Sequence, residues 1–253
     1  MNTIGIVIVA TNAYFPLGIR FIKKFIHHYK GDKHIKFFFF SDESPIEYVP
    51  DHIDVDFINQ THTSWNEGTN SKFKNICDLE DKLNDVDYIY YFDADTNITK
   101  DFTEEWFLGD LVGGEHFGNR GWLAGCVGYD KNPISKAYVP KDTPLPCMYY
   151  YGAFFGGNTS RMLEFCKILH QNQLEDKKIP YEPGCNDESY INQYFHYNPP
   201  TLVVLNEQFM FNVSDKGGIG DTRVVTLNVH ELKQTLLNHK NDLIDIRAGN
   251  IVL

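Results

Sequence analysis

The chain has 253 residues, a formal net charge of −11, 42% hydrophobic and 15% aromatic residues. That length suits one large α/β domain or two small ones. The acidic balance excludes a nucleic-acid partner, whose phosphates would be repelled, but leaves room for a single nucleotide offset locally by a metal and a few Lys or Arg.

Taken in chain order, "TIGIVIVAT" (3–11) is β-branched and apolar, a first buried strand. "YFPLGIRFIKKFIHHYK" follows with Leu17, Phe21, Ile22, Phe25, Ile26 and Tyr29 at helical spacing and Lys23, Lys24, His27 and His28 on the outer face. "HIKFFFFSD" and "HIDVDFI" read as the next two strands, "SKFKNICDLEDKL" as a second amphipathic helix, and "DYIYYFDAD" as a fourth strand. This β-α-β-β-α-β order predicts a mostly parallel sheet flanked by helices, with ligands beyond the strands' carboxyl ends. Further on, "LVGGEHFGN" reads as a strand entering a Gly-rich loop. "MYYYGAFFGGNTSRMLEFCKILHQNQL" reads as a strand, a glycine turn and a helix capped by Thr159 or Ser160. Asn186 is expected to cap a short helix with Asp187 and Glu188 in its first turn, where the helix dipole favours acids. Residues 228–253 read as a helix and a loose tail.

No segment approaches the roughly 18–20 apolar residues of a membrane span, and the start has no basic n-region. The five cysteines are an odd number without CxxC, so disulfide and zinc readings are weak. Cys77 and Cys166 fall on apolar helix faces as core thiols, and a soluble, cytoplasmic protein is the expectation.

Asp93 and Asp95 close the fourth strand one residue apart. Strand alternation points both the same way. Two carboxylates so placed repel unless a cation sits between them; the alternative is a solvated turn.

The order of "VATNAY", "SWNEGTNSKF", "YYFDAD", "GEHFG", "NPISKAYVP", "YYYGAFFGGN", "NDESYINQYFHYNPP" and "VHELKQ" resembles glycosyltransferase family 6, over roughly residues 3 to 240. The resemblance implies a GT-A nucleotide-sugar transferase fold as a single catalytic domain, with a nucleotide-binding half (1–100), a catalytic and acceptor half (101–240) and a tail (241–253). It also implies transfer of galactose or N-acetylgalactosamine from a UDP-sugar, with retention, to O3 of an acceptor galactoside. Without the animal enzymes' anchor and stem, the chain looks like the soluble bacterial or viral forms.

Residue by residue, the resemblance makes Asp95 a direct ligand of Mn²⁺ or Mg²⁺, with Asp93 supporting ribose and metal. Some soluble members carry asparagines there and need no metal; this chain keeps both acids. Tyr14 would pack on uracil, with the backbone near Ala10 and Thr11 reading the base edge. Thr69 and Lys72 fall where the family has a hydroxyl residue and an arginine at the donor, so a point charge replaces a fork. Asp187 would hold donor-sugar hydroxyls, and Glu188 would lie beneath the anomeric carbon. His116 would contact the acceptor, and Lys233 would close over the diphosphate.

Departures gather on the acceptor side. Cys185 and Asn186 stand where a tryptophan and a histidine are frequent, Gly128 where a threonine is common, and Asn212 where an aspartate is common. Tyr151 and Ala153 occupy the positions that separate the two donor sugars. Their bulk opposite C2 predicts a preference for UDP-galactose. The alternatives are a carbohydrate-binding protein of the same fold with little turnover, or a transferase with a different acceptor. Asp93, Asp95 and Glu188 together favour turnover.

Overall fold

The computed structural model describes residues 2–98, 100–116, 129–140 and 148–204, and the backbone of residues 210–212 and 224–226. Four strands open the chain: β1 (Thr3–Val9), β2 (His34–Ser41), β3 (Asp54–Asn59) and β4 (Tyr88–Asp93), with α1 (Phe15–His28) after β1. Two short helices, α2 (Trp65–Asn70) and α3 (Lys72–Asp78), lie between β3 and β4. Then come β5 (Thr96–Ile98), β6 (Leu111–Glu115), β7 (Tyr150–Asn158), α4 (Thr159–Asp176), α5 (Asn186–Tyr197) and β8 (Leu202–Val204). The strands β9 (Met210–Asn212) and β10 (Val224–Thr226) pair with β5 in a small separate sheet of order β5-β10-β9.

The main sheet has the order β3-β2-β1-β4-β7-β6-β8. The strands β1 to β4 are mutually parallel, and β7 runs antiparallel to both neighbours, β4 and β6. The aromatic runs are continuous because both faces of the sheet are buried. Ile4, Ile6, Ile8, Phe37, Phe39, Tyr90 and Phe92 pack towards α1, through Phe21, Ile22 and Phe25. Their neighbours Val7, Phe38, Phe40, Ile89 and Tyr91 pack towards α3, α4 and α5, with Phe73, Phe165, Cys166 and Phe195. Cys166 is fully buried and Cys77 half-buried, both as free thiols.

Several local expectations are corrected. β1 stops at Val9, and three residues on Asn12 takes up a left-handed φ of 56° as the chain turns through a 3-10 segment. The second amphipathic helix breaks into α3 and a 3-10 turn at Glu80–Lys82. Gly156 and Gly157 make no turn; they lie inside β7. A Cβ on Gly156 would sit 2.0 Å from the Tyr90 ring, so glycine there serves close packing. Neither Thr159 nor Ser160 caps α4: Asn158 does, accepting from the Ser160 N–H at 3.1 Å. Nor does Asn186 cap α5; it is the helix's first residue, at φ 46°, and Cys185 holds the cap position without a side-chain bond.

Register brings the carboxyl ends of three strands level, with Val9 opposite both Phe40 and Asp93. Since β7 is antiparallel, its first residues arrive at this same edge. α5 is fastened there by buried Asn192. Its side chain accepts from the Tyr150 N–H at 2.8 Å and donates to the Tyr150 carbonyl at 2.9 Å.

Candidate active site

A cavity of about 850 Å³ opens at that edge, within the range of small-molecule sites. Thr11, Tyr14, Thr69, Lys72, Asp93, Asp95, His116, Tyr151, Ala153, Asp187 and Glu188 all line it. Ala10 does not. It is fully buried, with its N–H donating to Phe40 and its carbonyl accepting from the Ser41 hydroxyl, so its backbone is committed to the fold. Lys233, Gly128 and the Asn212 side chain lie outside the described residues.

Lys72 is the hub. Its Nζ lies 2.7 Å from Asp187 Oδ2 and 3.1 Å from Asp93 Oδ1, donates to the Gly152 carbonyl at 2.9 Å, and sits 4.8 Å above the Tyr91 ring. Burial alone would favour the neutral amine, but Asp187 and Asp93 outweigh it and raise its pKa, keeping the ammonium charged. The positive charge beside the Asp pair is therefore partly the protein's own, and it serves Asp93. The Tyr91 hydroxyl also donates to Asp93, at 2.8 Å.

Asp95 is different. It lies in the turn after β4, and its Oδ1 is buried with no hydrogen-bond partner. Burial first, then repulsion from Asp93, pushes its carboxyl up to about 8. A hard divalent cation supplies what such an oxygen lacks, so the donor set fits Mn²⁺ or Mg²⁺. Among the described residues no group of three or more His, Cys, Asp or Glu converges on one point. A cation here would need further oxygens from a ligand or water.

Glu188 is held firmly. Its Oε2 accepts from the Gly152 N–H at 2.8 Å, and the Tyr149 hydroxyl also hydrogen-bonds it. Burial nonetheless pushes its carboxyl up to about 7, and Asp187 likewise to about 7. The first turn of α5 comes this close only because residue 152 is glycine: a Cβ there would stand 2.7 Å from Asp187 Oδ2. At the far wall the His116 ring stacks on Tyr151 at 4.1 Å. At the other end the Trp65 indole hydrogen-bonds the Tyr14 hydroxyl.

A carboxylate fixed in a cavity that also presents an acidic pair for a cation is the layout of a site for breaking a bond to a charged leaving group. The profile of glycosyltransferase family 6 matches residues 1–233. The chain belongs to glycosyltransferase family 6. Enzymes of this family generally depend on a metal. The mixed, mostly parallel sheet with its flanking helices is consistent with the family's GT-A fold. The rat histo-blood group ABO system transferase 1 is 28% identical over 216 residues, 81% of this chain and 60% of that protein. The chicken globoside α-1,3-N-acetylgalactosaminyltransferase 1 is 28% identical over 214 residues, 81% of this chain and 61% of that protein. The Escherichia coli O-antigen biosynthesis glycosyltransferase WbnI is 28% identical over 169 residues, 66% of this chain and 71% of that protein. The chain thus spans about three fifths of the vertebrate relatives' length. Among the described residues no helix is long and apolar enough to cross a membrane.

Lining or supporting residues that escape sequence reasoning include Asn12, His62, Trp65, Tyr91, Tyr149 and Gly152. Alternation along "YYYG" separates Tyr149 and Tyr151, both beside His116, from Tyr150, which packs on Phe195. That signal was available. Nothing in "QTHTSW" marks His62, because its contacts come from the β1 loop, 50 and 51 residues away in sequence.

Proposed function

We propose that the chain is a retaining, metal-dependent transferase that moves a hexose, preferentially galactose, from a UDP-sugar to O3 of an acceptor galactoside. The observation that carries this is Glu188, a half-buried carboxylate held by Gly152 and Tyr149 in the same cavity as Asp93 and Asp95. The uridine end of the donor goes towards Tyr14 and Trp65, whose aromatic faces suit a base. The sugar goes towards Asp187, Glu188 and Tyr151. Lys72 acts through Asp93 and Asp187, since its ammonium is within ion-pair distance of both and donates to the Gly152 carbonyl.

In the transfer, the bond from the anomeric carbon to UDP breaks, the acceptor oxygen bonds to that carbon on the same face, and the acceptor's hydroxyl proton leaves with the departing diphosphate. Glu188 faces the positive charge that grows on the sugar, either as a covalent partner or as electrostatic support. Asp95 and Asp93 would hold a divalent cation, which would supply charge to offset the departing diphosphate. Asp187, kept in place by Lys72, orients sugar hydroxyls. His116, stacked on Tyr151, offers the acceptor a planar wall.

Calorimetric titration with UDP, with and without Mn²⁺, tests the metal and donor reading without relying on turnover. Wild-type protein should bind UDP at least about tenfold tighter with Mn²⁺, and Asp95→Asn should lose that gain. The variant should also keep or raise Tm, because a carboxyl whose ionisation is opposed by burial and by Asp93 is removed. UDP affinity indifferent to Mn²⁺ in the wild type would contradict the assignment of Asp93 and Asp95.

A further inference from the structure

We propose that His62 recognises the nucleobase of the donor through Nε2, an inference that rests on the nucleotide-sugar reading above. His62 lines the cavity at the end formed by Thr11, Asn12, Tyr14 and Trp65. Its Nδ1 is 3.1 Å from Thr11 Oγ1, and its carbonyl accepts from Asn12 Nδ2 at 3.1 Å. Asn12 is itself held in its left-handed conformation, with its N–H donating to Asp42 Oδ1 at 2.8 Å. The imidazole is therefore fixed by a clamp that includes a strained residue, a pattern that gathers at ligand sites.

What the clamp leaves over is Nε2. His62 is only 9% exposed, and Nε2 is enclosed with no hydrogen-bond partner among the described residues. Native interiors rarely leave such an atom unmatched. Burial lowers the ring's pKa, so it is neutral. A neutral group suits an uncharged base edge better than a diphosphate, which calls for a cation. The Thr11 hydroxyl can either donate to or accept from Nδ1, so Nε2 can present itself as donor or acceptor. A pyrimidine edge, with carbonyl oxygens on either side of an N–H, offers both partners. The aromatic rings of Tyr14 and Trp65 at the same end suit the base's flat face.

The test exploits two substitutions that each keep one nitrogen position. Asparagine reaches about as far as Nδ1, and glutamine about as far as Nε2. Affinities for UDP and for ribose 5-diphosphate, which lacks the base, are measured by calorimetry in Mn²⁺ for wild type, His62→Asn and His62→Gln, with Tm as a check on folding. His62→Asn should bind UDP about tenfold more weakly, His62→Gln should stay within about threefold of wild type, and all three should bind ribose 5-diphosphate alike. If His62→Asn binds UDP as wild type does, or weakens both ligands equally, His62 is a structural clamp only and the inference fails. If wild-type protein binds UDP no better than ribose 5-diphosphate, the nucleotide reading of this end fails instead.

Discussion

Glu188 and Asp187 are adjacent carboxyls, each pushed up to about 7 chiefly by burial, so their titration belongs to the pair. The proposed transfer needs Glu188 ionised. The kcat/KM profile of the free enzyme should therefore fall as pH drops through about 7 and level off above it. Stability should move the other way. A folded value above the ordinary 4.5 means that the folded chain holds the proton more tightly; this contribution is full at low pH and is lost as pH rises through about 7. A kcat/KM flat between about pH 6 and pH 8 would remove Glu188 from its role. On the proposed function, Ala153 and Tyr151 would set the donor. Both line the cavity, Ala153 at 6% exposed and Tyr151, stacked on His116, at 3%, and in the proposed pose their bulk would face C2 of the sugar. We expect UDP-galactose to be preferred about tenfold or more over UDP-N-acetylgalactosamine, and Ala153→Gly to narrow that ratio. A wild type that favours the acetamido sugar, or a variant that gains nothing on it, would reject this gate in a comparison of kcat/KM values.

At the scale of elements, Lys72 is the joint. From the first turn of α3 it ties β4 through Asp93, β7 through Gly152 and α5 through Asp187. Removing one member of a buried charge cluster costs about 3–5 kcal/mol. Lys72→Met should then lower Tm by on the order of 10 °C, at about 2–4 °C per kcal/mol. Lys72→Met/Asp187→Asn should recover part of the loss, because it removes the stranded carboxylate. Calorimetric scans check both, and a drop below about 3 °C for Lys72→Met would contradict the hub. This joint was not legible in the sequence, where a helix-start lysine looks solvated. The strands were legible, because "HIKFFFFSD" and "DYIYYFDAD" are too apolar and too aromatic to be anything but buried on both faces. Their ends were less so: β1 stops at Val9, ahead of the left-handed Asn12, and of the paired glycines that suggest a turn, Gly156 packs against Tyr90 and Gly157 against the backbone of Asp110 and Leu111.

At the scale of the molecule, the cavity depends on a topology that no local pattern specifies. The strand β7 inserts antiparallel between β4 and β6, carrying Tyr151 and Ala153 to the edge where β1 and β4 end. Only this meeting brings Asp93 and Asp187, 94 positions apart in the numbering, onto one lysine. Periodicity gives the parallel, helix-flanked half; the insertion follows from long-range pairing. The resemblance to glycosyltransferase family 6 named most of the lining residues through the order of their motifs; Ala10 lies off the cavity lining, and His62, which lines it, was not among the residues named. The most direct test of the whole account is UDP release from UDP-galactose in Mn²⁺, with and without a lactose-type acceptor, for wild type and Glu188→Gln. The account predicts acceptor-stimulated release in the wild type and a loss of about 100-fold or more in the variant, with UDP affinity little changed. Wild-type release no greater than that of Glu188→Gln, in protein that still binds sugar, would contradict it and point to a carbohydrate-binding protein instead.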